Sequence, residues 1–453
     1  MDSLYQAVRH PPGHAILLDH GGRASTLTPG WPATLEFRNP RAVLLFAGRT
    51  RYFEGSSELP PPDIDPLEAV RKIIEGRRVE GVGAVRLSTE LSAPCCLLAV
   101  SYEFLEQTEG VVLQQKTAAT PSLLAFFYES VQPGHAVHRH RLSTGISFED
   151  TPPLVFPGLP IPEYMALAAN DGYELHENDY AARVDSLRKG IYRGDYYVVN
   201  LSQRARFRCA GSAEAAWKRW ALDQPMPYRA YISLGFGDLL INSPECFARC
   251  RGPWIETFPI KGTRRRTGDM ANDQKTAAEL LADPKELAEH RMIVDLERND
   301  LGKIAAIGSV EVPVRERIEV LPGLFHLVSA VRARLPEKGL AMFPAVVRAL
   351  FPGGSVTGAP KRAAIQAIDR TEISARGFYT GALFAIDRDG NFEAAMLIRT
   401  AMAMGRGNWI TAGSGGGIVA DSNPHSEAAE VMLKLEGLQN TLARMEKPER
   451  KIS

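Results

Sequence analysis

At 453 residues the chain is long for a single core, and one large or two unequal domains are expected. Its 53 lysines and arginines are balanced by 53 aspartates and glutamates, so no basic footprint for a nucleic acid is present. Five cysteines (Cys95, Cys96, Cys209, Cys246, Cys250) are odd in number and form no C-x-x-C pair. With no apolar run near membrane-spanning length and no signal-peptide pattern, they indicate reduced thiols in a soluble, cytoplasmic protein without membrane association.

Along the chain, Ile16-Leu17-Leu18-Asp19 suits a short strand. Residues 42–46, 96–100 and 123–128 read as buried strands, because each is an apolar run. A proline-rich loop over 59–66 precedes a helix expected over 67–75. Between 151 and 162 five prolines fall in twelve residues, which breaks any regular element. The boundary is placed there, giving an N-terminal variable region over 1–165, a main domain over 166–445 and a tail over 446–453. Beyond it, Val184, Leu187 and Ile191 set a helical spacing over 178–193, closed by Gly194-Asp195 and followed by a strand at 196–201. Short apolar runs at 231–234 and 239–241 are strands. A long helix is expected over 284–299, and Pro360 suits the first position of another, which carries Ile365 and Ile368. Strands follow at 381–386, 392–400 and 409–412, then a last helix over 426–445. The class is α+β, a mixture of helix and strand without repeats.

Three features carry chemistry. Pro259-Ile260-Lys261-Gly262-Thr263 sets one lysine where an apolar run stops. With its stem packed and its amine in a cleft, such a lysine is a candidate nucleophile; a surface lysine in a turn is the alternative. Glu286 and Glu289 lie three apart in one predicted helix and share a face, and Glu427 and Glu430 repeat the spacing. Four crowded carboxylates repel one another unless a cation lies between them, and oxygen donors suit Mg²⁺. On spacing alone, either pair is a solvated helix face.

The third feature is two glycine-rich stretches. After Gly353 and Gly358 come Ala359-Pro360 rather than Lys-Ser or Lys-Thr, so the Walker A reading fails. Gly413-Ser414-Gly415-Gly416-Gly417 completes no dinucleotide fingerprint either. Both stretches still suit an anion, as loops whose glycines permit close backbone approach; Thr357 to Ala359 also precede a helix N-terminus.

Taken in order, Asn200-Leu201-Ser202-Gln203, Ser243-Pro244-Glu245, the Lys261 pentapeptide, Met292-Ile293-Val294-Asp295-Leu296, the stretch from Phe351 to Lys361 and Gly417-Ile418-Val419-Ala420-Asp421-Ser422 resemble the chorismate-utilising enzymes. That family includes the large subunits of anthranilate and aminodeoxychorismate synthases, with isochorismate and salicylate synthases. The resemblance implies β-sheets packed with outer helices around a central active-site cleft. It covers roughly residues 175–440 and is faint before 160. Lysine in Pro-Ile-Lys-Gly-Thr points to the aminodeoxychorismate-forming branch, because anthranilate synthases usually carry alanine there.

Through the resemblance, Glu289 and Glu430 match direct Mg²⁺ ligands, and Glu286 and Glu427 match partners acting largely through water. Arg399, Tyr379 and the amides of Gly415, Gly416 and Gly417 match donors to the enolpyruvyl carboxylate of chorismate. Lys434 matches a residue that neutralises a substrate carboxylate, and His326 and Thr357 match residues lining the ring. Without the resemblance, Arg399 is a routine strand-end arginine and His326 a packed or surface histidine.

The implied reaction replaces the C4 hydroxyl of chorismate by an amino group. Glu245 matches the general acid, and Lys261 the nucleophile that attacks C2 before ammonia displaces it. Ammonia would come from a separate glutamine amidotransferase subunit in a heterodimer, and the product would serve 4-aminobenzoate and folate synthesis. Val198 departs from the pattern: water-adding members carry lysine there and ammonia users usually glutamine. Valine cannot activate water. The alternatives are anthranilate synthase component I and a non-catalytic chorismate-binding protein; the full set of acid, nucleophile and metal-ligand candidates opposes the latter. Ile16-Leu17-Leu18-Asp19 also resembles part of a regulatory amino-acid pocket, with an ordinary strand as the alternative.

Overall fold

Strands Cys96–Val100 and Leu123–Phe127 are apolar at every position because both of their faces are covered. Leu97, Ala99, Leu124 and Phe126 point into a core shared by two sheets. Leu98, Val100, Leu123, Ala125 and Phe127 point outward beneath helices Pro66–Ile74 and Phe343–Leu350. The two-residue period of a strand thus feeds two cores from one run. The computed structural model describes residues 15–18, 35–37, 42–47, 50–53, 64–76, 94–114, 121–128, 132–133 and 172–446, apart from 235–236, 322 and 405–407.

Two antiparallel sheets form the frame. The first runs Gly358–Ala359, Val198–Arg208, Trp409–Ile418, Thr400–Met404, Gly237–Ser243, Tyr228–Ser233, Ala15–Leu18, Leu35–Phe37, Gln132–Pro133, with Gly172–Tyr173 also against Val198–Arg208. The second runs Ile260–Arg265, Leu324–Arg334, Trp254–Thr257, Cys246–Arg251, Phe392–Met396, Ala382–Ile386, Cys96–Val100, Leu123–Phe127, Ala42–Ala47, Thr50–Phe53, with Glu311–Leu321 against Leu324–Arg334. Helices Ala213–Asp223 and Pro424–Glu446 cover the outside of the first sheet through Trp217, Trp220, Leu435 and Leu438. Sheets packed with outer helices are the architecture expected. The proline-rich boundary at 151–162 and the tail from 447 lie outside the described residues. Strands from before that boundary enter both sheets: Ala15 pairs with Ile232, and Val100 with Ala382. The strand expected at Ile16 is present as Ala15–Leu18.

Several expectations change. The run at 392–400 is two strands, Phe392–Met396 in the second sheet and Thr400–Met404 in the first. The chain crosses between sheets at Arg399, whose φ of 45° no apolar pattern announces. The strand expected at 409–412 continues to Ile418, so Gly413 to Gly417 are strand and not loop. Pro360 is the N-cap of helix Lys361–Thr371 rather than its first residue. Helices Ala213–Asp223 and Met270–Ala282 and the long hairpin strand Glu311–Leu321 are additions. One segment, Gly339–Val356, is apolar and long enough to span a membrane, against expectation, but 78% of it is buried in the fold. All five cysteines are buried free thiols.

Candidate active site

Corresponding ends of the two sheets meet, and the candidate residues collect there. Lys261 is the second residue of Ile260–Arg265 in the second sheet. A register shift between Lys261 and Thr263, with Gly262 at φ 66°, bends the strand just after it. Gly417 lies opposite Asn200 in the first sheet. A methyl group on Gly417 would sit 3.4 Å from Lys261 Nζ, 3.7 Å from Val198 Cγ2 and 3.9 Å from Glu289 Oε2. Lysine, valine and glutamate therefore face one glycine.

The other glycines have distinct surroundings. A methyl on Gly416 would meet Glu427 Oε2 at 3.5 Å, and the Gly415 carbonyl accepts from Lys434 Nζ at 2.8 Å. Thr400–Met404 pairs with Trp409–Ile418 only up to Ala412. Past that point the glycine run has a strand partner on one edge alone among the described residues. Ser202 and Asn200 turn their amides away from it, so their opposite numbers Gly415 and Gly417 direct theirs to the open sheet edge, while Gly416 pairs with Leu201; this is a donor array of another kind than the loop expected.

Two helices deliver the carboxylates. Asp283 caps the first by accepting from the amides of Lys285 and Glu286, and Pro284 fits its first turn, fixing Glu286 and Glu289 one turn further on. Asn423 does the same for Pro424–Glu446, accepting from the Ser426 amide at 3.0 Å. Burial raises the Glu289 carboxyl; Lys261 and Lys285 pull it down, while Glu286 and Glu427 push it up. Burial also raises Glu427 against a hydrogen bond from Ser422, and Glu430 adds repulsion. Lys434, 2.9 Å from Glu430, holds that carboxyl below its ordinary range. Arg264 Nη1 donates to Glu286 Oε1 at 2.9 Å, and Lys285 lies 3.8 Å from Glu427.

Four oxygen-donating carboxylates that repel one another, with Glu427 buried, Glu286 and Glu289 half-buried and Glu430 exposed, fit a hard divalent cation chemically. They are not gathered around one point: among the described residues no three His, Cys, Asp or Glu side chains come together as a ligand set.

Glu245 is buried beside this group. Ser355 Oγ donates to its Oε1 at 2.6 Å, and its backbone is fixed by the Met396 amide at 3.0 Å. Burial lifts its carboxyl to about 7, against Ser355 and the charge of Lys261. Since Oε1 accepts, the acid's proton belongs on Oε2. Burial drops His326 to about 3, with Arg399 acting in the same direction, so the imidazole is neutral; its Nδ1 is buried with no hydrogen-bond partner. The Arg399 guanidinium has no hydrogen bond or ion pair among the described residues, and burial lowers its pKa. An unpaired, partly desolvated guanidinium is suited to a planar carboxylate.

Tyr379 is wedged between Gly413 and the Arg204 guanidinium, which lies 5.0 Å from its ring centre; burial raises its hydroxyl to about 12. Thr357 donates its hydroxyl to Gly353 O at 2.8 Å and accepts the Asn200 amide at 2.7 Å on its carbonyl, which ties it to the strand opposite Gly417. Ser355 lies within the glycine-rich stretch from Phe351 to Lys361, yet nothing in the sequence singles it out as the partner of Glu245.

Gly417 has no positive φ, so alanine is tolerated by its backbone. Gly417→Ala should therefore fold normally, its methyl in ordinary contact with Lys261 but taking up the space by which a substrate reaches that glycine, lowering kcat/KM for the substrate about 100-fold. Steady-state kinetics beside a thermal melt checks both halves of this expectation.

The chain matches the chorismate binding enzymes over residues 34–440 and belongs to that family. Among its relatives, anthranilate synthase component 1 of Spirochaeta aurantia is 38% identical over 266 residues, 59% of this chain and 54% of that one. Aminodeoxychorismate synthase component 1 of Escherichia coli (strain K12) is 39% identical over 256 residues, 56% of each chain. The match thus spans about half the length of these curated relatives. A crystal structure of anthranilate synthase component I from Streptococcus pneumoniae TIGR4 superposes with a TM-score of 0.70 at 24% identity, covering 97% of this chain and 95% of that one, which shows the shared fold.

Proposed function

We propose that this chain aminates chorismate at C4, giving 4-amino-4-deoxychorismate with retention of the enolpyruvyl group, through a covalent adduct on Lys261. The observation that carries this reading is the lysine amine at the Gly417 wall, in electrostatic contact with the buried acid Glu245. Glu245 gives its proton to the departing C4 hydroxyl as Lys261 bonds to C2 and the ring double bond shifts. Ammonia then bonds to C4, the double bond returns, and the lysine amine leaves C2. Each step is an allylic displacement, and the departing oxygen leaves as water. Val198, packed at the same glycine, offers no base for adding water to C2.

Arg399, Tyr379 and the glycine run, through the open-edge amides of Gly415 and Gly417 on either side of Gly416, receive the enolpyruvyl carboxylate. Lys434 helps neutralise a substrate carboxylate, while His326 and Thr357 line the ring. Glu289 and Glu430 would hold Mg²⁺, with Glu286 and Glu427 behind water. When bound, the metal would supply Lewis-acid polarisation of the ring carboxylate. The ammonia source is a separate glutamine amidotransferase subunit, in the cytoplasm.

The named relatives also support a second reading, anthranilate synthase, at 38% identity against 39%. Mass spectrometry of the product from chorismate, Mg²⁺ and ammonium separates the two. A product that keeps the enolpyruvyl group and yields 4-aminobenzoate with a lyase is expected, and chelation of Mg²⁺ should stop turnover. Anthranilate with pyruvate would establish the second reading, and turnover without divalent metal would remove Mg²⁺ from the mechanism.

A further inference from the structure

Strand Val198–Arg208 pairs along its length with Trp409–Ile418 on one edge. Its other edge is covered by strands only near its ends: Gly358–Ala359 pairs with Val199 and Val198, and Gly172–Tyr173 with Arg206 and Ala205. In the gap between them, two side chains take the place of a strand. Arg376 Nη2 donates to Asn200 O at 2.8 Å, and Glu372 Oε1 accepts from Ser202 N at 2.7 Å. The two side chains are joined by hydrogen bonds of 2.7 and 2.9 Å, and both are buried.

The remaining donors of the fork reach further. Arg376 Nη1 donates to Val356 O at 2.7 Å and to Thr380 Oγ1 at 3.3 Å. Each partner adjoins a residue assigned to substrate: Asn200 lies opposite Gly417 and Ser202 opposite Gly415, while Val356 precedes Thr357 and Thr380 follows Tyr379. Thr380 itself has a φ of 63°, with its hydroxyl on Tyr379 O at 2.6 Å. A buried ion pair adds little net stability, because desolvation offsets the attraction; what it fixes here is geometry.

We propose that Arg376, oriented by Glu372, is a positioning residue that sets the glycine strand, the Thr357 turn and Tyr379 in register around the chorismate carboxylates. The inference rests on the chorismate reading above. Lysine at 376 keeps a cation for Glu372 but loses the fork that spans two carbonyls. In Arg376→Lys, KM and the calorimetric Kd for chorismate should rise about tenfold, with kcat reduced less than threefold and KM for ammonium unchanged. A merely structural role would shrink the active fraction, lowering kcat at constant KM.

Glu372→Gln preserves shape and should move chorismate affinity in the same direction, so it carries the test if Arg376→Lys does not fold. Unchanged chorismate affinity in a folded variant overturns the positioning role while leaving the proposed function intact. Wild-type protein that neither binds nor turns over chorismate overturns both.

Discussion

Lys261→Ala, incubated with chorismate and Mg²⁺, should show no substrate-derived mass on the protein, whereas the wild type should carry an adduct on the peptide containing residue 261. Turnover should fall by about 10³-fold or more, the scale seen when a covalent nucleophile is removed. The geometry is specific enough to make this a strict expectation, since half-buried Lys261 brings Nζ up to Gly417, in electrostatic contact with Glu245 and Glu289. Lys261→Arg serves as the control: it keeps the charge that draws down Glu245, Glu289 and Glu430 but has no amine that can leave C2. Failure of both variants to react assigns the loss to nucleophilicity. Full turnover in Lys261→Ala would falsify the covalent route.

The second large effect belongs to Glu245. Its carboxyl must be protonated to act, and burial places its titration near 7. At a fixed concentration of free ammonia, kcat should fall as pH rises through about 7, approaching tenfold per unit. Glu245→Gln should lose that limb and about 10²–10⁴-fold in kcat, the usual range for one general acid. A retained alkaline limb in Glu245→Gln would assign the titration to another group. The same burial affects stability. The folded protein binds this proton more tightly than the unfolded chain does, so the stabilisation is complete below the ordinary carboxyl value of 4.5 and is lost as pH rises through about 7. Glutamine does not ionise, so Glu245→Gln should gain stability over wild type across that window, as read by thermal melts.

Short motifs made the family legible, because they combine residue types that chemistry needs at fixed spacing. Glu286 with Glu289, and Glu427 with Glu430, read as helix faces, and both helices are present with Asn or Asp caps before proline. What the sequence hid was long-range. Nothing in Gly413 to Gly417 resembles a strand, since glycine has little strand preference; pairing with residues 199–203 overrides it. The crossover at Arg399 depends on a positive φ that apolar periodicity does not encode. Ser355 reaches Glu245, and Glu372 reaches Ser202, across 110 and 170 residues of chain. Such contacts exist only once the sheets have formed.

The interleaving of the sheets has a consequence during synthesis. Val100 pairs with Ala382 and Cys96 with Ile386, almost three hundred residues later. At roughly 5–20 residues per second, the apolar strands Cys96–Val100 and Leu123–Phe127 leave the ribosome about 15–60 s before that partner exists. Leu97 and Leu98 face opposite cores, so in that interval neither side of the strand is water-compatible. The newborn strands form a sticky half-sheet that has to be shielded from its copies until residues 382–386 emerge.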